Sequence, residues 1–197
     1  MRSKLVILEG VEGVGKSTLI EQLKTELSEE MRHYVVFLHE AGVQGLPFVY
    51  REPTYWFRRL KLYVDVPFLL TDGLFLISER SWLSGWCYEP RMYQPALMSI
   101  IYRGIGVSPE DVYVIVIQPK ECPSDDDRVL LAYERYGELI EYGSPLGEKV
   151  FCARTPEIAK DFILRLLQQH IDSLNRETVR GESDETETTD ANAPVSG

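Results

Sequence analysis

Four residues at fixed spacing carry the strongest chemical signal in this chain. Gly10, Gly15, Lys16 and Ser17 satisfy the pattern Gly-x-x-x-x-Gly-Lys-Ser/Thr within Gly-Val-Glu-Gly-Val-Gly-Lys-Ser-Thr over 10–18. A loop of this kind cradles phosphate with its backbone N–H groups, while the dipole of the following helix favours negative charge. Gly10, Glu12, Gly13, Val14, Gly15, Lys16, Ser17 and Thr18 are therefore the expected nucleotide-binding set. Lys16 places a point charge on the outer phosphates, and the Ser17 hydroxyl is a hard oxygen ligand suited to Mg²⁺. The loop predicts binding of ATP with Mg²⁺; the plain alternative is a glycine-rich turn that matches by accident. A second group is Ser78-Glu79-Arg80-Ser81. Its carboxylate can join the Mg²⁺ shell and its arginine can reach the phosphates around the transferred group, unless the two form only a surface ion pair. His39-Glu40 and Arg128 are further candidates, with Arg135 beside the latter.

These residues need elements to hold them. Leu5-Val6-Ile7-Leu8 is a short β-branched run suited to a buried parallel strand. Leu19, Ile20, Leu23 and Leu27 then recur at helical spacing, so the glycines lie between a strand and a helix N-terminus. A second strand is predicted over 34–38, a third over 74–77, a fourth over 112–117 and a fifth over 149–153. In an open parallel sheet ligands gather at the carboxyl ends of strands, which is where His39, Glu40, Glu79 and Arg80 fall. A solvated strand end without a role is the competing reading for His39 and Glu40. Between Gly42 and Thr71 glycines and prolines break the pattern. There Tyr55 to Tyr63 reads as one helix, its arginines and aromatics fit either to hold a nucleotide or to form an ordinary surface helix.

After the fourth strand, Ser124 or Asp125 caps a helix showing Val129, Leu130, Tyr133, Tyr136, Leu139 and Ile140 on one face. Arg128 and Arg135 on it either close over a triphosphate or pair with neighbouring acids. Thr155 as cap and Pro156 at the first position start a last helix with a buried face to about Leu174. The remainder, 175–197, is rich in Glu, Asp, Thr and Ser, and is expected to be a disordered acidic tail on a single domain over 1–174. The architecture expected is α/β: a doubly wound, five-stranded parallel sheet of the P-loop nucleoside and nucleotide kinase type.

Composition narrows the class. The 197 residues, 44% hydrophobic and 26% charged, suit one globular domain with a substantial core. No apolar stretch approaches the ~20 residues of a membrane span. Met-Arg-Ser-Lys runs straight into the first strand, leaving no room for a signal peptide and pointing to a cytoplasmic enzyme. A net charge of −10 argues against a broad nucleic-acid surface. Cys87, Cys122 and Cys152 read as buried or inert thiols of a reducing compartment.

The residues resemble the thymidylate kinases and their deoxynucleoside kinase relatives over most of 3–170. The loop with an acid before its second glycine looks like the thymidylate kinase version, which implies that Glu12 approaches the acceptor's sugar. Glu79-Arg80-Ser81, followed by Ser84 and Tyr88, is similar to the Asp-Arg-Tyr…Ser…Tyr signature of thymidylate kinases, and the triplet itself to the deoxynucleoside kinases. Both imply a carboxylate supporting Mg²⁺ and an arginine on phosphate. Tyr133…Tyr136-Gly137-Glu138-Leu139 resembles the last third of thymidylate kinases. The chain departs where thymidylate kinases carry Arg-Glu-Pro-Gly, since His39-Glu40-Ala41-Gly42 stands there. Deoxynucleoside kinases use a glutamate at this point as base toward the 5′-hydroxyl, a role the resemblance gives to Glu40. It also implies a homodimer.

The expected activity is transfer of the γ-phosphoryl of ATP to a small-molecule (deoxy)nucleoside monophosphate such as dTMP. Lys16, Arg80, Glu40 and Arg128 would be its catalytic residues, with Ser17 and Glu79 at Mg²⁺. Three other readings stand beside it: a deoxynucleoside kinase, a kinase of a modified base or nucleotide within a polymer, and a non-catalytic ATP-binding regulatory module.

Overall fold

The computed structural model describes residues 3–39, 73–88, 99 and 108–187, the last ten of these and His39 by backbone alone. Glu40 and the segment 42–71 lie outside the described residues. Strand β1, Lys4–Glu9, is buried from Leu5 onward. It leads through the glycine loop into helix α1, Lys16–Glu26, which packs Leu19, Ile20 and Leu23 inward. A one-turn helix α2, Glu29–Arg32, follows, with the Ser28 hydroxyl accepting the Met31 amide at 3.2 Å as its cap. Next come β2, Val35–His39, and β3, Phe75–Glu79, then α3, Trp82–Tyr88. Strand β4, Val112–Ile117, helix α4, Asp127–Tyr142, strand β5, Lys149–Ala153, and helix α5, Pro156–Glu187, follow among the described residues.

The five strands are all parallel, in the order β2-β3-β1-β4-β5. The chain leaves β1 toward β2 on one side and leaves β3 toward β4 on the other. Right-handed crossovers then place α1 against one face and α3 and α4, which touch, against the other, while α5, which follows the last strand, packs with α1. The direction of winding reverses between β1 and β3, which opens a crevice at their carboxyl ends. The register sets Leu8 beside Glu79 and Glu9 beside Val116. Glu79 is thereby brought alongside the strand that feeds the glycine loop.

Local signals account for most element ends. Asp126 caps α4, its carboxylate accepting the Arg128 amide at 2.8 Å and the Val129 amide at 3.3 Å. The cap lies one residue beyond the positions expected, because Ser124 spends its hydroxyl on the Asp126 amide instead. Of the apolar face expected on α4, Leu130 is exposed, while Ala132 joins the core. Thr155 caps α5 as expected, through its hydroxyl and carbonyl. Among the cysteines Cys87 is buried, but Cys152 is exposed on the edge strand β5.

Helix α5 does not stop at the expected boundary of 174 but continues to Glu187, so 175–187 of the expected tail has a helical backbone. Extending an existing helix adds one hydrogen bond per residue fixed and needs no new nucleus. Arg176 Nε donates to the Asp172 carbonyl across this boundary at 3.1 Å. Residues 188–197 lie outside the described part.

His170 ties α5 to the start of β3. The side chain is wholly buried and its Nε2 lies 2.6 Å from the Gly73 carbonyl, so Nε2 carries the proton and Nδ1 is bare. Burial pushes the imidazole pKa below 6.5, outweighing the Gly73 carbonyl, and Lys4 and the N-terminus push the same way. The unfolded chain therefore binds more protons below its ordinary pKa than the folded chain does. Stability is expected to fall as pH drops from 6.5 through the depressed folded value, then to level off. Urea unfolding between pH 7.5 and 5 should show a loss that is smaller in His170→Gln, which retains a donor for the Gly73 carbonyl. An equal loss in both proteins would remove His170 from the explanation.

Candidate active site

The glycine loop takes conformations that require glycine. Gly10 has φ +133, and a Cβ there would meet the Ile117 carbonyl oxygen at 2.5 Å, which is backbone that cannot move aside. Gly10→Ala is expected to cost about 2 kcal/mol or more and to open the loop against β4. The midpoint of urea unfolding measures this directly. Gly15, at φ +90, precedes the first residue of α1, and a Cβ there would lie 2.9 Å from the Pro156 side chain at the start of α5.

Lys16 is folded back over its own loop. Its Nζ donates to the carbonyls of Gly10 at 2.8 Å and Val11 at 2.7 Å, and the residue is 4% exposed. Burial lowers its pKa to about 8; Arg80 pushes in the same direction, and Glu9, Glu79 and Glu12 push back. An anionic group bound here would favour the charged ammonium. One residue on, Ser17 Oγ donates to Glu79 Oε1 at 2.5 Å, and Glu79 is buried at the end of β3. A hydroxyl and a carboxylate at this separation are hard oxygens that suit Mg²⁺, which takes few protein ligands and otherwise water and phosphate oxygens.

Arg80 is the only described non-glycine residue with positive φ, at 70. Three hydrogen bonds surround this turn: the Arg80 amide to the Leu8 carbonyl at 2.9 Å, Ser78 Oγ to the Arg80 carbonyl at 3.0 Å, and Ser81 Oγ to Glu9 at 2.7 Å. The guanidinium stands 3.8 Å from Glu12. Burial works against its charge, but Tyr136, Glu9, Tyr88 and Glu12 outweigh it and raise the pKa. Arg80, Glu12, Gly13, Gly15, Lys16, Ser17, Thr18 and Glu79 line one cavity of about 310 Å³ at the crevice between β1 and β3. Backbone donors, two cations and a hydroxyl–carboxylate pair thus face a single space. That set can hold a polyphosphate and stabilise negative charge as it moves between oxygens.

Two solved structures share this arrangement of elements. The thymidylate kinase of Ehrlichia chaffeensis superimposes with a TM-score of 0.60 at 16% identity, covering 84% of this chain and 98% of its own. The thymidylate kinase of Candida albicans gives 0.51 at 14% identity, covering 85% and 92%. The chain has the thymidylate kinase fold. No family model and no curated protein sequence matches it.

Within the thymidylate kinase fold the sequence-predicted residues separate by place. Glu12, Gly13, Gly15, Lys16, Ser17, Thr18, Glu79 and Arg80 share the cavity, while Gly10 and Val14 lie behind its wall. Arg128 stands outside that wall, its guanidinium 5.5 Å from the centre of the Tyr88 ring. Tyr88 in turn accepts the Glu12 amide at 3.2 Å, which links Arg128 to the loop through Tyr88. Arg135 turns away, donating to the Cys87 carbonyl at 2.6 Å and joining α4 to α3. Strand β2 ends at His39, in register with Glu79, and Glu40 follows beyond the described residues. No group of three potential metal ligands occurs among the described residues, and none of their helices is long and apolar enough to cross a membrane.

Sequence reasoning missed Glu9. The residue is wholly buried at the end of β1 and accepts hydrogen bonds from Ser81, Ser84 and Tyr136. An acid ending a continuous apolar strand, directly before the first loop glycine, was the available signal.

Proposed function

We propose that this chain is a nucleotide kinase that transfers the γ-phosphoryl of ATP to a (deoxy)nucleoside monophosphate, with dTMP the first acceptor to test. The observation that carries this reading is the convergence of Lys16, Ser17, Glu79 and Arg80 on one cavity at the crevice between β1 and β3. The thymidylate kinase fold supports the acceptor class. Transfer of this kind needs little covalent chemistry from protein, and positioning with charge stabilisation does most of the work.

In this reading the loop amides and Lys16 hold the β- and γ-phosphates. Lys16 would leave the Gly10 and Val11 carbonyls for phosphate oxygen, a short move for a flexible side chain. Ser17, and Glu79 through water, would hold Mg²⁺, which supplies neutralisation of the phosphate charge. Arg80 stabilises the negative charge on the moving phosphoryl group, and Arg128, carried on α4, reaches the same charge when Tyr88 releases it. Glu12 at the mouth of the cavity faces the acceptor's sugar. A monophosphate acceptor is already anionic and needs no strong base.

The test is ADP release from ATP and Mg²⁺ against the four deoxynucleoside monophosphates and their nucleosides. Turnover with dTMP or another monophosphate is the expected result. Turnover with nucleosides alone would replace this reading by a nucleoside kinase using Glu40 as base. Bound ATP with no turnover on the whole panel would overturn it in favour of a polymer acceptor or a regulatory role.

A further inference from the structure

Glu9 occupies a place where an apolar residue would be expected. It ends β1 one residue before the glycine loop, and its carboxylate is wholly buried. Ser81 Oγ donates to its Oε1 at 2.7 Å; Ser84 Oγ at 2.5 Å and Tyr136 OH at 2.8 Å donate to its Oε2. Tyr136 OH also lies 3.2 Å from Ser84 Oγ. Burial first, and Glu9 next, raise the Tyr136 pKa well above 10, so the phenol is a neutral donor. Taking a carboxylate out of water is costly even when it is well hydrogen-bonded, and a core filler would not need three hydroxyls from two other elements.

The geometry of these contacts points at Arg80. Ser81, the first donor, is the next residue in the chain, and its Oγ also accepts the Leu83 amide at 3.1 Å. Leu8, which precedes Glu9, accepts the Arg80 amide. Adjacent residues of β1 therefore grip the chain on both sides of the one left-handed non-glycine residue described. A positive φ on arginine persists only where surrounding contacts over-determine it.

We propose that Glu9 is a positioning residue that, through Ser81, holds Arg80 in its left-handed backbone conformation and so aims its guanidinium at the phosphate loop. Its consequence for turnover rests on the phosphotransfer reading, whereas its consequence for the Arg80 backbone does not. Glu9 touches no reacting group; it sets the place of one that does.

The test uses Glu9→Gln and Ser81→Ala in the full chain, each alone and each combined with Arg80→Ala. Amide hydrogen exchange over 79–84 and the kcat and KM for ATP are measured. Both single variants should speed exchange at Arg80 and Ser81. Each should lower kcat by about 10²-fold, with KM for ATP within about threefold, as loss of an interaction made in the transition state requires. With Arg80→Ala present, either change should alter kcat by less than about twofold, because the side chain being aimed is gone. Equal kcat losses with and without Arg80 would mark Glu9 as a general structural residue and overturn the proposal. Should Glu9→Gln not fold, Ser81→Ala removes one hydroxyl and carries the same test. A wild-type protein without phosphotransfer would sink the kinase reading alone. Exchange at Arg80 would then decide: faster exchange in the variants supports the positioning role, and unchanged exchange overturns it.

Discussion

Replacing Lys16 with Ala is expected to lower ATP-dependent turnover by about 10³-fold or more while the protein remains folded. The size of the loss follows from the site. A cation in a low-dielectric cavity, aimed where phosphate charge develops, acts without the reorganisation that water would need. The retained fold follows from the lysine's own energetics. Its folded pKa of about 8 lies below 10.5, so the unfolded chain binds more protons between those values and stability rises with pH across that window. At pH 7 the buried ammonium therefore costs stability, in gross terms roughly 3 kcal/mol. Removing it deletes that cost and leaves the Gly10 and Val11 carbonyls without a donor, so the two changes oppose each other. Thermal unfolding should move by only a few degrees. Initial rates measured beside a melting curve separate the two effects. Turnover that survives in the folded variant would end the kinase reading.

Arg80→Gly is expected to give the opposite changes together: turnover falls by about 10³-fold and stability rises by several tenths to about 1 kcal/mol. The left-handed backbone at φ 70 strains a side-chain-bearing residue by about 1–2 kcal/mol, and glycine takes it without strain. Part of that gain returns through the greater freedom of glycine in the unfolded chain. The lost contact to Glu12 weighs little, since that carboxylate is 72% exposed and 3.8 Å away, while loss of the favourable field of buried Glu9 on the guanidinium holds the gain below the full strain. Arg80→Ala supplies the control. It removes the guanidinium while keeping a Cβ at the same φ, so it should lose the same activity without the gain in stability. Equal melting temperatures for the two variants would show that the backbone strain is not stored at this residue. The pair measures how far stability has been exchanged for the placement of one arginine.

The order of elements was legible because each carries a local signal. A continuous β-branched run suits a strand buried on both faces, and the expected 112–117 matches β4 as observed; the expected 149–153 also matches β5, an edge strand that is largely exposed. The glycine loop was legible for the same reason: its residue types answer to backbone conformations and phosphate chemistry set within nine residues. Thr155 and Pro156 announced α5 through the chemistry of a helix start. The far end of that helix carried no comparable signal. Beyond Leu174 the sequence has almost no apolar side chains to mark a helical period, yet the helical backbone continues to Glu187.

What needed the tertiary structure is every relation across sequence distance. Ser17 and Glu79 were expected to meet at Mg²⁺, but no local signal fixes the pairing of β3 with β1 that brings Glu79 to 2.5 Å from Ser17, sixty-two positions away. Helix α4 likewise meets the end of β1, so Tyr136 reaches a carboxylate one hundred and twenty-seven residues earlier. The two arginines of α4 looked alike in sequence and part company in space, Arg128 toward Tyr88 and Arg135 toward the Cys87 carbonyl. Local chemistry thus determined which residues could bind phosphate and which segments are strands or helices. The packing of a parallel sheet decided which of those residues meet, because crossovers join strands that are distant in sequence and only burial of both sheet faces selects their order.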